Sequence, residues 1–169
     1  MVQRKRRHLF DEGHKRKFLV IVDETPEMET ALAYAVRRAK RTGGMVTLLY
    51  VIEPPEATHW LGVEAAFREE AYNKAKAVFR LSTRKVNNWG LGDIAIEEVI
   101  REGNKADEVM RLIEEDEDIG VLVLGASTDP AGPGPLVSSL AAGSRAGTFA
   151  IPITIVPGTL TLEEVEGLA

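Results

Sequence analysis

Five short apolar runs alternate along the chain with longer segments whose apolar residues recur at helical spacing. Most of these runs are rich in β-branched residues and show no polar alternation, which is typical of strands buried on both faces of a sheet. The third run alternates weakly, so we expect it to be half-exposed and close to a sheet edge. The five predicted strands cover residues 18–22, 45–52, 94–99, 119–124 and 151–156.

Helices are predicted between the strands because the intervening segments carry helix-terminal signals. Thr25-Pro26 is typical of a helix start, Gly43-Gly44 of a helix end, and Asn104 of a cap. Acidic residues 114–118 oppose the negative C-terminal end of the helix that they follow, so we expect that end to fray. The predicted helices span about 26–42, 64–88, 105–113 and 135–149, and a capping box at 161–164 predicts a short last helix.

The order β-α-β-α-β-α-β-α-β predicts a single α/β domain, with a doubly wound five-stranded parallel sheet and helices on both faces. We expect this domain to cover residues 17–157. Residues 1–16 are predicted to form a basic, flexible N-terminal arm. Residues 158–169 are predicted to form a tail that contains the short last helix.

Charge is distributed unevenly over the 169 residues, whose net charge is −5. Residues 1–17 hold seven basic and two acidic side chains, a balance of +5, so the remainder carries −10. An acidic body repels phosphates, which argues against nucleic acid as a partner except through the arm. The sequence has no cysteine, no apolar run close to the ~20 residues that span a bilayer, and no secretion signal. We therefore expect a cytoplasmic protein without a membrane partner.

Candidate binding residues follow two of the predicted strands, because ligands of doubly wound sheets bind beyond the carboxyl ends of strands. Asp23 and Thr25 follow the first strand, and a glycine-rich loop follows the fourth. Backbone amides in such a loop favour a phosphate group. The alternative is a plain surface loop, with Asp23 as a turn-forming residue. The candidate residues in the loop are Gly125, Ser127, Gly132 and Gly134.

Motifs for other chemistry are missing from the sequence. There is no Walker loop and no G-x-G-x-x-G after the first strand. His8 and His14 lie in the arm and His59 in a loop, which does not favour a metal site or a catalytic triad. We therefore assign no catalytic residue and no metal ligand. His59-Trp60 is interpreted as a loop pair that covers apolar surface.

The sequence resembles the universal stress protein family. The resemblance rests on residues 20–25 with 31–35, on residues 48–54, and on residues 121–125 through to 152–157. It covers about residues 17–157. It implies a Rossmann-like sheet of strand order 3-2-1-4-5, with a nucleotide crevice between strands one and four.

ATP-binding members of that family carry G-x2-G-x9-G followed by Ser or Thr, and this chain departs from the motif. Gly125 matches the first glycine, but the second glycine is replaced and the loop is longer. The resemblance implies that Asp23 holds the ribose and adenine side and that Val51 lines the adenine. It places Gly125, Ser138 and Ser139 against the phosphates. ATP or AMP is the implied ligand, and the absence of nucleotide binding stays open because some members lack the motif.

The resemblance also implies a stress-response protein that acts as a binding or regulatory module. We expect a homodimer joined through the last strand, with Leu162 and Val165 of the tail helix against the partner. Two alternatives from other classes stay open. One is a slow nucleotide-hydrolysing enzyme, with Asp23 as the base nearest the loop. The other is a nucleic-acid-associated factor that works through the basic arm.

Overall fold

A computed structural model describes residues 4–55 and 64–169 of the chain. Five parallel strands form one sheet in the order β3-β2-β1-β4-β5. The doubly wound α/β fold and the strand order are therefore confirmed. The strands are β1 (Lys17–Ile21), β2 (Met45–Ile52), β3 (Ile96–Glu102), β4 (Ile119–Ala126) and β5 (Ile153–Pro157).

Within the described residues four α-helices accompany the sheet, and several of their predicted end signals are in place. α1 ends where Gly43 adopts a φ of 70°, in the left-handed region. The side chain of Asn104 caps α3 by accepting the backbone amide of Asp107 at 3.1 Å. The helices are α1 (Pro26–Thr42), α2 (Glu64–Asn88), α3 (Lys105–Glu115) and α4 (Leu162–Leu168).

The apolar core has two halves, one on each face of the sheet. One half packs strand side chains against α1 and α2, around Leu32 and Phe79. The other half packs them against α3, around Val109 and Ile113. β1 contributes to both halves because successive side chains of a strand point to opposite faces. This explains why the central strands appear in the sequence as unbroken apolar runs.

The segment between β4 and β5 differs from the prediction of one helix over residues 135–149. It forms a π-helical turn at Val137–Ala141 and a 3-10 turn at Ala146–Thr148. Gly143 and Gly147 interrupt the segment, and each glycine costs about 1 kcal/mol relative to alanine inside a helix. The neighbouring alanines and serines bury too little apolar surface to offset that cost. The sheet face beside α3 is therefore covered by less helix than expected.

The tail helix α4 packs on the domain that precedes it. Thr161 caps α4 by accepting the backbone amide of Glu164 at 3.1 Å, as its sequence predicted. Val165 is fully buried and packs against Ala33 of α1. The expectation that Val165 contacts a partner chain is therefore wrong, because this side chain is buried within its own domain.

Three sequence expectations meet the limits of the described residues. In residues 4–55 and 64–169, no helix is long and apolar enough to cross a membrane. Within the same residues, no group of three or more His, Asp or Glu side chains is arranged to hold a metal ion. The predicted pair His59-Trp60 lies outside the described residues.

Candidate functional site

β1 and β4 lie side by side at the centre of the sheet, and their carboxyl ends open into a crevice of about 170 Å³. The pairing of Val20 with Val123 brings the residues that follow the two strands to the same edge. The starts of α1 and α3 and the end of the loop after β4 form the other walls. Four predicted site residues come together here, namely Asp23, Thr25, Gly125 and Gly134.

Asp23 is bonded to the start of α1 through a tight turn. Its Oδ1 accepts the backbone amide of Thr25 at 2.9 Å and the hydroxyl of Thr25 at 2.5 Å. An ionised carboxylate accepts up to about four hydrogen bonds, so this turn leaves capacity for a ligand hydroxyl group. The turn-forming and ligand-binding interpretations of Asp23 are therefore compatible.

Gly125 lies where β4 meets the first turn of α1. A Cβ atom at this position would overlap the backbone carbonyl of Glu27. The close packing of α1 on β4 therefore requires glycine here, whether or not a phosphate group approaches. Packing alone accounts for the glycine that resembles the first residue of the family motif.

The loop after β4 bonds to itself. The amide of Ser127 donates to the carbonyl of Pro133 at 2.9 Å, and the amide of Gly132 donates to the carbonyl of Asp129 at 3.0 Å. The side chain of Asp129 accepts the amide of Ala131 at 2.9 Å. These amides are therefore occupied within the loop. Ser127 and Gly132 do not line the crevice.

Three further predicted residues lie away from the crevice lining. Val51 is buried in the core half that packs against α3. Ser138 and Ser139 lie inside the π-helical turn and do not begin a regular helix. Helical backbone begins before them, at residues 135 and 136, so the two serines do not stand at the helix N-terminus. Their contact with a phosphate group stays a prediction.

Lys105 is a crevice residue that the sequence analysis missed. It begins α3 and lines the same crevice as Asp23. Its backbone amide donates to Oε1 of Glu53, which follows β2, at 3.2 Å. The cap at Asn104 predicted where α3 starts, but binding residues were expected after the first and fourth strands, and Lys105 follows the third. Lys105 is the basic residue among those that line the crevice.

At the opposite, amino edge of the sheet, the N-terminal arm contacts the turn between α3 and β4. The guanidinium of Arg7 donates to the carbonyls of Ile113 at 2.8 Å, Asp116 at 3.0 Å and Ile119 at 3.2 Å. A cation at a helix C-terminus satisfies free carbonyls and opposes the negative end of the helix dipole. The expected fraying is therefore countered by Arg7, and α3 stays helical to Glu115.

Two more basic residues contact the same turn. Nδ1 of His14 lies 2.7 Å from a carboxylate oxygen of Asp118, and Nζ of Lys17 lies 2.7 Å from a carboxylate oxygen of Asp116. The hydrogen bond to Asp118, and then its negative charge, raise the pKa of His14 above the ordinary value of 6.5. The flexibility of residues 1–16 stays a prediction, and these contacts are the ones that such motion would break.

The strand order and the crevice at the central strands place the molecule in the class of small doubly wound α/β domains. Within that class, the model of the universal stress protein family matches residues 15–144. This match covers more than half of the chain, so the chain belongs to the universal stress protein family. A comparison with curated proteins found no significant match.

Solved structures with the same fold include members that hold nucleotides. Universal stress protein UspA from Lactobacillus plantarum shares 20% identity at a TM-score of 0.66, over 83% of this chain and 97% of that one. A universal stress protein in complex with cAMP shares 19% sequence identity at a TM-score of 0.61, and the match covers 83% of this chain and 96% of that one. The universal stress protein from Archaeoglobus fulgidus in complex with dAMP shares 14% sequence identity at a TM-score of 0.57, and the match covers 85% of this chain and 98% of that one. At these identities the likeness shows a common fold.

Proposed function

We propose that this protein binds an adenine mononucleotide of low charge, such as AMP, and acts as a nucleotide-responsive regulatory protein in stress. The observation that carries the proposal is the position of Asp23 and Lys105 in one crevice at the carboxyl ends of the central strands. Asp23 offers an acceptor for ribose hydroxyl groups, and Lys105 offers a cation for a phosphate. The family members solved with cAMP and dAMP support this ligand class.

Charge favours a monophosphate over a triphosphate at this crevice. The charged residues of the lining are Lys105, Asp23 and Glu27, so the lining is net negative. A triphosphate brings more negative charge than one lysine balances, whereas a monophosphate needs about one cation. The loop amides that stabilise phosphates in other sites are occupied here within the loop.

Nucleotide entry requires the crevice to widen. Its volume of about 170 Å³ is below the roughly 300 to 1,000 Å³ of ordinary ligand pockets. Residues 127–133 are closed by the bond between Ser127 and Pro133, so they can move outward as a unit without losing these internal bonds. We therefore expect binding to be coupled to a displacement of this loop.

Calorimetry with AMP, adenosine and ATP tests the proposal. Asp23→Asn keeps an oxygen for the Thr25 turn but is a weaker hydrogen-bond acceptor. It should therefore lower the affinity for both AMP and adenosine. Lys105→Gln should lower the affinity for AMP by about fivefold and leave the affinity for adenosine unchanged. Lys76→Gln, at an exposed position of α2, is the matched control. No heat with AMP at millimolar concentration, or unchanged affinity in both variants, would reject the site. Tighter binding of ATP than of AMP would reject the charge argument.

The nucleic-acid alternative depends on free cations in the arm. Arg7 and His14 instead bind the turn between α3 and β4, which reduces the charge available to phosphates. We expect weak, sequence-independent retention on heparin that is lost when residues 1–6 are removed. Sequence-selective DNA binding at physiological salt would favour the alternative, because flexible basic side chains do not read bases.

We also propose a homodimer formed through β5. This strand lies at an open edge of the sheet, and Ile155 is 42% exposed. Leu122 donates to the carbonyl of Pro152 at 3.1 Å, and the alternation of a parallel ladder then turns the amides of Ile153 and Ile155 towards that edge. A second copy related by a two-fold axis would pair with them.

Light scattering tests the dimer with two apolar-to-lysine variants. Ile155→Lys should give a monomer, because a charged side chain at the edge opposes strand pairing. Leu81→Lys replaces an exposed apolar side chain on α2 and should leave the dimer intact. A wild-type monomer at micromolar concentration would contradict the proposal.

A further inference from the structure

A larger cavity, of about 620 Å³, lies towards the C-terminal end of α3. Its walls are α3, the segment that precedes β5, and the N-terminal arm, and it shares no lining residue with the crevice. We call it the α3 groove. Its lining includes Arg4, Lys5, Met110, Ile113, Arg145 and Phe149.

The α3 groove results from the shortened connection between β4 and β5. In a doubly wound sheet, the helix of this connection packs beside α3 on the same face. Here the connection contains a π-helical turn and a 3-10 turn instead. One side of α3 therefore lacks a full helical neighbour, and Met110 and Ile113 form an apolar floor with Phe149.

The rim of the α3 groove is basic. The side chains of Arg4 and Arg145 have no hydrogen-bond or ion-pair partner among the described residues. Lys5 lies 3.9 Å from Glu117, so their charges balance. Glu114 is the remaining acidic residue of the lining. The lining therefore holds two unpaired guanidinium groups and one unpaired carboxylate, a positive balance that favours an anion.

We propose that the α3 groove binds a small amphipathic anion, specifically a medium-chain carboxylate as a free monomer. The apolar chain lies on Met110 and Phe149, and the carboxylate is held by Arg145 and Arg4. The cavity volume lies within the range of about 300 to 1,000 Å³ that is typical of small-molecule pockets. An inorganic anion would leave the apolar floor uncovered, and a neutral chain would leave the arginines unused.

Calorimetry on the full chain with decanoate, below its micellar concentration, tests the proposal. Shortening the ligand to octanoate should weaken binding by up to about fourfold per methylene lost from the groove. Arg145→Gln should lower the affinity for octanoate by about two- to fivefold and leave the affinity for the neutral analogue octanol unchanged. Arg84→Gln, at an exposed position of α2, should leave both ligands unchanged.

Met110 provides a second, independent test. Met110→Glu places a carboxylate in the floor and should weaken decanoate more than tenfold, whereas Met110→Leu should keep the wild-type affinity. Because Arg145 is exposed, its variant remains informative even if Met110→Glu does not fold.

Three outcomes would overturn the proposal. The first is the absence of a heat of binding with monomeric decanoate. If the protein then binds anionic vesicles, the α3 groove recognises a membrane surface instead of a free carboxylate. The second is an affinity unchanged by both Arg145→Gln and Met110→Glu. The third is competitive displacement of decanoate by AMP, which would place the carboxylate in the crevice.

Discussion

At the carboxyl edge of the sheet the loop after β4 bonds to itself, whereas at the amino edge the arm bonds to residues far along the chain. Ser127 and Pro133 pair within one loop, while Arg7 and Ile113 are 106 positions apart. Bonds of the first kind shape a loop without joining it to the core. Bonds of the second kind hold separate segments together. The loop at the carboxyl edge can therefore change shape around a ligand, and the arm at the amino edge contributes to the stability of the fold.

The largest effect is expected at Gly125, the point where the carboxyl edge is closely packed on α1. Gly125→Ala should lower the free energy of unfolding by about 3 kcal/mol, because the added methyl group overlaps the carbonyl of Glu27. Urea denaturation measures the change. Gly147→Ala is the control, because no atom lies within 4 Å of the added methyl group. Equal stability of the two variants would show that α1 does not pack on β4 as described.

A smaller loss is expected when the arm is detached from α3. Arg7→Ala removes three hydrogen bonds to backbone carbonyls and should lower the free energy of unfolding by about 1 to 2 kcal/mol. Amide hydrogen exchange at the end of α3 should also become faster. Arg6→Ala changes the exposed neighbouring residue and should have little effect. Equal effects of the two substitutions would mean that the arm stabilises the fold through net charge alone.

The loop after β4 should tolerate loss of its internal bonds. Asp129→Ala removes the acceptor of the Ala131 amide, and we expect the free energy of unfolding to change by about 0.5 kcal/mol or less. Thermal unfolding is a sufficient measurement. A loss comparable to that of Arg7→Ala would contradict the distinction between the two edges.

The smallest effect is expected from His14 and depends on pH. Because Asp118 raises the pKa of His14 in the folded state above 6.5, its stabilising contribution is complete below the unfolded pKa. It is lost as the pH rises through the folded-state pKa. The melting temperature of His14→Gln should therefore be below that of the wild type near pH 6 and approach it near pH 9. His8→Gln is the control, and a constant offset across this range would rule out titration of His14 as the cause.

The strands were predictable because each central strand is a nearly continuous apolar run. Burial on both faces favours apolar side chains at successive positions, so Leu19 and Val20 fall on opposite faces and are both fully buried. The caps at Asn104 and Thr161 were also readable, since each depends on one local hydrogen bond. Features that depend on one local hydrogen bond or on complete burial can therefore be predicted from the sequence.

The candidate site was predictable in part, because its residues depend on distant segments. Asp23 and Gly125 were found from their positions after the first and fourth strands, but Lys105 follows the third strand, which was expected at a sheet edge and away from the crevice. The sequence pattern predicts a helix through Ser138 and Ser139, but Gly143 and Gly147 make a full helix unfavourable in this segment. The role of Arg7 at the end of α3 had no local signal, since its partners are backbone carbonyls more than 100 residues away.

Amide chemical shifts followed residue by residue during an AMP titration test the central claim most directly. If the carboxyl edge is the adaptable binding edge, the shifts should be largest and saturate together at Gly125, Gly134 and Lys105. The amides of Arg7 and His14 should stay unchanged. Absence of shifts at millimolar AMP, or shifts centred on the arm and the end of α3, would contradict the account.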